Sequence, residues 1–192
     1  MISEKCKDIE DNELVALSIN DSQYFYCLMK RYEDKLTRYV ARLSYMSLDD
    51  VADVVQESFI NAYQHLNDCD CELKFSSWMY RIVHNQTINF IKKSRQSFKI
   101  NIDDVDEEFV DWLVDGTNIE KETITKHFNE YVKTIFEKLK PDYKEVLLLK
   151  FFEDKDYSEI SDILQKPKGT VATLISRAKI QFKEIYEKEN KY

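Results

Sequence analysis

Residues 156–181, DYSEISDILQKPKGTVATLISRAKIQ, decide the fold class of this chain. Asp156 and Glu159 have the spacing of a capping box, which predicts a short helix over YSEISDIL. Residues 165–167, QKP, break that helix, and a second helix is predicted to run from about Lys168 toward the carboxyl terminus. Two such helices joined by a short turn form a helix-turn-helix, whose second helix enters the major groove of DNA.

The second helix of this motif is predicted to have one apolar and one polar face. Val171, Ile175, Ala178 and Phe182 follow helical spacing and should anchor it to the domain. The polar face carries the candidate contacts with DNA, which are Lys168, Thr170, Thr173, Ser176, Arg177 and Lys179. Backbone N–H groups at the start of a helix also favour phosphate. The alternative is that these residues form an ordinary solvated face.

The composition of the 192 residues favours an all-α protein with two small domains. Only two Gly and two Pro are present, which leaves few sites for tight turns, and 43% of the residues are hydrophobic, which is enough to fill cores. No apolar run approaches the roughly 18 residues of a membrane span, and the charged start MISEKCKDIEDNELVAL is unlike a signal peptide. We therefore expect a cytoplasmic protein without membrane insertion.

The net charge of −8 is unevenly distributed along the chain. Asp103 to Glu122 contains nine acidic residues against one lysine, so this segment accounts for the whole net charge. Leu73 to Asn101 contains six basic residues and no acid, and Lys166 to Lys183 contains five basic residues and no acid. Two basic segments separated by an acidic one are compatible with nucleic-acid binding despite the negative total.

A helical bundle is predicted before the acidic segment. Apolar residues at helical spacing indicate a helix over about Asp21 to Ser44, and Ser47 has the position of an N-cap for the next helix. The apolar stripe of that next helix consists of Val51, Val54, Val55, Phe59, Ala62 and Leu66. A third helix is predicted to begin at Ser76 or Ser77 and to run through WMYRIVHNQTINFIKKSRQ, so the bundle ends near Arg95.

The acidic segment separates this bundle from a second domain. Scattered apolar residues and Gly116 mark residues 96–122 as an interdomain linker. The second domain begins near Thr123, and Pro141 suits the first turn of a helix that runs to about Phe152. The predicted domains are therefore residues 1–95 and 123–192, and the second ends in the helix-turn-helix.

The sequence offers no set of residues suited to catalysis or to metal binding. It contains no nucleophile–base pair and no glycine-rich phosphate loop, so we expect neither enzymatic activity nor a cofactor. Cys69-x-Cys71 with His65 upstream lacks the two separated ligand pairs that are typical of zinc sites. A cytoplasmic chain of this size needs no disulfide, and we expect Cys6, Cys27, Cys69 and Cys71 to be thiols.

Three stretches of the sequence, taken in order, resemble the parts of one protein family. They are DVVQESFINAYQHL, FSSWMYRIVHNQTINFIKKSRQ and LKPDYKEVLLLKFFEDKDYSEISDILQKPKGTVATLISRAK. The first two resemble the domain of extracytoplasmic-function (ECF) sigma factors that binds RNA polymerase and melts the minus-ten element. The third resembles the domain that binds the minus-thirty-five element. The resemblance implies a sigma factor of this type, or a specialised relative such as those that drive toxin or bacteriocin genes.

The resemblance implies roles for two surfaces of the amino-terminal domain. The helix after Ser47 would dock on core polymerase through Asp50, Asp53, Gln56, Glu57 and Asn61, although these residues are also typical of a solvated helix face. The following helix would hold the melted minus-ten strand through Arg81, Asn85, Lys92, Lys93 and Arg95. Unstacked bases could lie on aromatic faces there, namely Phe75, Trp78 and Tyr80, but Trp78 equally has the spacing of a core residue. A flipped base would enter the loop over Asp68 to Lys74.

One departure from the family pattern and two rival hypotheses accompany this interpretation. Ala172 and Leu174 stand where the family usually has basic residues, which predicts weak binding to duplex DNA. The implied partners are core RNA polymerase, promoter DNA in duplex and single-stranded form, and an anti-sigma factor. One rival is a stand-alone helix-turn-helix regulator whose bundle dimerises or binds a ligand. The other is a sigma-like cofactor that binds polymerase but has lost promoter recognition.

Overall fold

The computed structural model describes residues 6–69, 74–97, 132 and 134–189. These residues are helical with short connections, and they include no strand, as the composition predicts. They form two compact units, one built mainly on the helices before residue 98 and the other mainly on the helices after residue 133. The linker predicted at 96–122 falls almost entirely outside the described residues, so its boundaries stay a prediction. Within the described ranges, no helix combines the length and the apolar character needed to cross a lipid bilayer.

The described helices of the amino-terminal unit are α1 (Asp11–Ser18), α2 (Ser22–Ser44), α3 (Leu48–Gln64) and α4 (Phe75–Ser97). The predicted cap of α3 is confirmed, because the Ser47 hydroxyl accepts a hydrogen bond from the Asp50 amide at 3.2 Å. The third predicted helix begins one residue earlier than expected, at Phe75. The sequence pattern did not predict α1, since its eight residues are too few to display a clear apolar stripe.

The core of this unit surrounds α2, which packs against α1, α3 and α4. The stripe predicted for α3 is buried from Val51 to Ala62, and its last member, Leu66, is also buried but lies just beyond the end of the helix, in a short 3-10 turn. Aromatic rings join α2 to α4, with 5.2 Å between the ring centroids of Tyr39 and Tyr80. The Tyr39 hydroxyl also forms a 2.9 Å hydrogen bond with Nδ1 of His84, which satisfies two polar groups inside the core.

The segment before α2 corrects one expectation, because two of the four cysteines are not thiols. Cys6 and Cys27 form a disulfide between this segment and α2. Cys69 remains a buried thiol, as predicted, and Cys71 lies outside the described residues. The sequence could not reveal the Cys6–Cys27 pair, since the two residues are 21 positions apart and only the packing of α1 on α2 brings them together.

In the carboxy-terminal unit, residues 134–138 are helical and are followed by α5 (Pro141–Leu147), α6 (Tyr157–Leu164) and α7 (Lys168–Glu189). Pro141 occupies the first turn of α5, as predicted. The helix continues to Phe152, also as predicted, but its last stretch, Leu148–Phe152, is π-helical. α5 packs against α7, and the ring of Phe136 contacts those of Phe152 and Phe182.

Candidate nucleic-acid interface

α6 and α7 form the helix-turn-helix predicted from residues 156–181. The capping box is present: Oδ1 of Asp156 accepts from the Glu159 amide at 2.8 Å, and Oε2 of Glu159 accepts from the Asp156 amide at 3.0 Å. Gln165 ends α6 in the left-handed conformation, with a φ of 52°. The hydroxyl of Ser161 then donates to the carbonyl of Lys166 at 2.6 Å, which closes the turn before α7.

α7 separates its residues into a buried and an exposed face. Val171, Ile175 and Ala178 are buried, which confirms the predicted anchoring stripe, and Phe182 is half-buried against Phe136. The structure places all six candidate DNA contacts of the helix at exposed positions, namely Lys168, Thr170, Thr173, Ser176, Arg177 and Lys179. The helix therefore presents basic and hydroxyl groups together to solvent, which is the arrangement that contact with DNA requires.

Two of these side chains have partners within the carboxy-terminal unit. The hydroxyl of Thr173 donates to the carbonyl of Gly169 at 2.9 Å, so its oxygen is oriented by the helix itself. The ammonium group of Lys179 lies 5.2 Å from the ring centroid of Phe151, a residue that is 56% exposed. Sequence reasoning did not single out Phe151. Only the packing of the π-helical turn brings it beside α7.

A buried lysine lies in the helix that supports α7. Lys144 is only 9% exposed, and this burial lowers the pKa of its ammonium group to about 7, although Glu137 and Glu145 oppose the shift. Burial also raises the pKa of the neighbouring Glu145 carboxyl. The helix against which α7 packs therefore contains a group, the Lys144 ammonium, that titrates near neutral pH.

α4 carries the residues predicted to bind single-stranded DNA. Asn85, Lys92 and Lys93 are exposed and Arg81 is half-buried, whereas the side chain of Arg95 lies outside the described part. Arg81, Asn85 and Lys92 share one side of α4, and the exposed Asn89, which was not predicted, falls on the same side.

The prediction that Phe75 and Tyr80 of α4 offer stacking surfaces is wrong, and for Trp78 the alternative of a core position is confirmed. Phe75, Trp78 and Tyr80 are at most 5% exposed. Phe75 packs against Trp78 and against Tyr32 of α2, with ring centroids 5.8 and 5.5 Å apart. Burial in the core removes the apolar surface of these rings from water, which is favourable, and leaves none of their faces open for a base. Most of the loop predicted to accept a flipped base, residues 70–73, lies outside the described residues.

α3 carries the residues predicted to dock on polymerase. Asp53, Gln56 and Glu57 are exposed, whereas Asp50 and Asn61 are half-buried. The Asp50 carboxylate accepts a hydrogen bond from the Ser47 hydroxyl at 2.7 Å, so it takes part in capping the helix. Two apolar residues that sequence reasoning had not noted, Ile60 and Tyr63, are 50% and 45% exposed.

Comparisons with known proteins assign both units to one family. The family model described as Sigma-70 region 2 matches residues 28–97, and the one described as Sigma-70, region 4 matches residues 129–182. The ECF RNA polymerase sigma-E factor of Haemophilus influenzae is 31% identical over 180 residues, which cover 90% of this chain and 93% of that protein. The ECF RNA polymerase sigma factor SigW of Bacillus subtilis is 29% identical over 163 residues, which cover 83% of this chain and 87% of that protein.

Solved structures share the all-α fold. CnrH, in a complex with the cytosolic domain of CnrY, superposes with a TM-score of 0.70 at 19% identity, covering 94% of this chain and 99% of that chain. The sigma factor RpoE, in a complex with the anti-sigma factor NepR from Bartonella quintana, gives a TM-score of 0.64 at 16% identity, covering 85% and 96%. At these identities the two structures support the fold alone.

The matches favour the sigma-factor hypothesis over the stand-alone regulator that the sequence left open. A stand-alone regulator needs only the helix-turn-helix, whereas here both units match sigma-70 regions and a relative aligns along nine-tenths of the chain. The chain therefore belongs to the ECF RNA polymerase sigma factors, the proteins that direct the polymerase to promoters.

Proposed function

We propose that three helices divide the work of promoter-directed initiation in this chain. α3 docks on core RNA polymerase, α4 holds the melted strand of the minus-ten element, and α7 reads the minus-thirty-five element as duplex. The observation that carries the proposal is that α3 and α7 each pair a buried apolar stripe with an exposed polar face, and that α4 exposes amide and basic groups on one side while Phe75, Trp78 and Tyr80 are buried.

The proposed polymerase surface combines charge with apolar area. Asp53 and Glu57 lie one helical turn apart on α3, and the exposed Ile60 continues the surface on the following turn. Charged groups steer partners and select among them, whereas a desolvated apolar contact slows dissociation. Asp50 contributes less, because its carboxylate is engaged in the helix cap. The half-buried Asn61 lies at the margin of this surface.

Charge reversal tests the polymerase surface. The Asp53→Lys/Glu57→Lys variant should raise the Kd for core polymerase roughly tenfold or more, because repulsion replaces steering at the contact. A matched control, Glu13→Lys/Asp34→Lys, makes the same change of charge at exposed positions on α1 and α2. Circular dichroism and thermal melting establish that both variants fold. Equal affinity of the two variants for polymerase would remove α3 from the proposed interface.

The α4 surface acts on single strands through charge and hydrogen bonding. With Phe75, Trp78 and Tyr80 in the core, the polar groups available on one side are the guanidinium of Arg81, the amides of Asn85 and Asn89, and the ammonium of Lys92. Lys93 and Arg95 extend the positive charge toward the end of the helix.

Arg81→Ala/Lys92→Ala should weaken holoenzyme binding to a fork DNA with a single-stranded minus-ten segment roughly tenfold. Lys7→Ala/Lys188→Ala, which removes the same amount of charge, should leave that binding unchanged.

The α7 surface contributes phosphate and base contacts to the upstream element. Lys168 and Thr170 lie in the first turn, where backbone N–H groups also face the ligand, and Thr173 and Ser176 follow along the exposed side. Arg177→Ala/Lys179→Ala should weaken binding to duplex promoter DNA and reduce the slope of log K against log salt by up to about two. An unaltered slope would exclude both residues from the phosphate contacts.

The proposal also includes the cellular location of the chain and the partner that regulates it. Two solved structures that share its fold hold a partner, the cytosolic domain of CnrY in one and the anti-sigma factor NepR in the other. By analogy, this chain acts in the cytoplasm, has no enzymatic activity of its own, and is restrained by an anti-sigma factor. Capture of a single stoichiometric partner by the full chain, followed by loss of transcription when that partner is added to holoenzyme, tests the restraint.

A further inference from the structure

The first described residues are tied covalently to α2. The disulfide between Cys6 and Cys27 spans a Cα–Cα distance of 6.2 Å and closes a loop between positions 21 residues apart. Both half-cystines are buried, at 3% and 6% exposure. A cross-link of this kind restricts the chain that it encloses, and here it encloses the whole of α1.

Polar contacts connect the enclosed segment with α2. The guanidinium group of Arg31 donates to the carbonyl of Cys6 at 2.9 Å and to that of Ile9 at 3.1 Å. It also forms an ion pair with Asp11, whose carboxylate accepts the hydroxyl of Tyr32. The disulfide therefore fixes one end of a network that positions α1.

The other end of this network reaches the first turn of α4. The side-chain oxygen of Asn12, on α1, accepts a hydrogen bond from the amide of Phe75 at 3.4 Å. Phe75 is the first residue of α4, and its ring packs against Tyr32 beside the Arg31–Asp11 pair. α1 therefore supplies a partner to a backbone N–H that the start of α4 would otherwise leave unsatisfied.

We propose that the Cys6–Cys27 disulfide is a redox-reversible staple that sets how firmly α1 holds the first turn of α4. Disulfides of cytosolic proteins are usually transient and linked to redox chemistry rather than permanent supports. The consequence for promoter opening rests on the proposed role of α4 in binding the melted strand. The oxidised form keeps that helix start ordered, and the reduced form loosens it.

The chemistry requires a dithiol reductant, and its atoms and electrons balance. A thiolate of the dithiol attacks one sulfur of the Cys6–Cys27 bond and forms a mixed disulfide, and its second thiol then displaces the remaining cysteine. The reductant loses two electrons and two protons and becomes a disulfide, while Cys6 and Cys27 each gain one electron and one proton and become thiols. Since both sulfurs are buried, attack follows local opening of the amino-terminal segment.

Hydrogen exchange of the full chain tests the staple directly. Samples equilibrated with oxidised or reduced dithiothreitol are compared at the amides of Leu14 and Phe75, with Val55 on α3 as an internal reference. Reduction should speed exchange at Leu14 and Phe75 roughly tenfold or more and leave Val55 unchanged. The Cys6→Ser/Cys27→Ser variant should exchange at the reduced rate in both buffers. Identical rates in the two forms of the wild-type chain, or alkylation of Cys6 and Cys27 in the oxidised sample, would overturn the proposal.

Transcription with core polymerase in the same two buffers tests the regulatory consequence. The oxidised chain should open promoters several-fold more efficiently than the reduced chain, and the double serine variant should show no response to the buffer. Exchange that depends on redox state combined with transcription that does not would refute the regulatory role. Absence of transcription in both buffers would refute the proposed function instead, and the exchange rates would still decide whether the staple exists.

Discussion

Asp156 and Glu159 satisfy each other's backbone amides at the start of α6, through hydrogen bonds of 2.8 and 3.0 Å. This reciprocal arrangement fixes where the helix-turn-helix begins, because it supplies acceptors to N–H groups that have no partner within the helix. Asp156 also accepts from the amide of Ser158 at 2.7 Å, so one carboxylate serves two donors.

Removing this cap should destabilise the carboxy-terminal unit. Asp156→Ala is expected to lower its free energy of unfolding by about 1 kcal/mol, within the usual range for the loss of an N-cap. Asp156→Asn retains an acceptor and should recover most of that stability. Urea unfolding of the full chain followed by a probe in α7 measures the difference. Equal stability of the Ala variant and the wild type would mean that the cap does not stabilise the motif.

The pattern that predicted this cap is local, and local features were predicted well. The N-cap at Ser47, the first-turn position of Pro141 and the buried stripe of α7 all depend on residues within a few positions of one another. A helix imposes such spacing regardless of what surrounds it, and the exposure of Lys168, Arg177 and the other polar residues of α7 follows from that geometry.

Features that depend on distant parts of the chain could not be predicted in this way. Trp78 has the same residue type and spacing whether it stacks on a base or fills a core, and only its proximity to Phe75, which packs on Tyr32 of α2, decides the question. The Cys6–Cys27 bond likewise depends on how α1 folds back onto α2. Side chains that can serve equally in a core or at a surface carry no local signal of their role.

Adding a basic residue at position 172 of α7, where the sequence has Ala, should increase the affinity for duplex DNA. Ala172 is half-buried beside the exposed face, so a long side chain there can extend into solvent. Ala172→Arg should tighten binding to duplex promoter DNA severalfold and steepen its salt dependence by about one unit of slope. Ala16→Arg makes the same exchange at an exposed position on α1 and serves as the control. Identical effects of the two substitutions would mean that added charge alone, and not its place on α7, changes the affinity.

The burial of Lys144 makes the stability of the carboxy-terminal unit depend on pH. Its pKa falls from 10.5 to about 7 on folding, so between these pH values the unfolded chain binds a proton that the folded chain has released. This difference in the protonation of Lys144 therefore makes the folded state more stable as the pH rises from 7 toward 10.5. Below pH 7 the ammonium group is charged in both states, so the full cost of burying that charge remains. Lys144→Met should raise the free energy of unfolding at pH 6 by on the order of 2 kcal/mol, and the gain should shrink toward pH 10. Lys188→Met, at an exposed position, should show neither effect.

In vitro transcription with core RNA polymerase and genomic DNA of the source bacterium tests most directly the claim that this chain directs promoter opening. The reactions contain core polymerase alone, core with the wild-type chain, core with the Asp53→Lys/Glu57→Lys variant, and core with another ECF sigma factor that is active with this polymerase as a positive control. The wild-type chain should give transcripts from discrete start sites, with permanganate-reactive thymines near the minus-ten position, and the double variant at the same limiting concentration should give far fewer. If the positive control is active but the wild-type chain adds no transcript to those of core alone, the claim is contradicted.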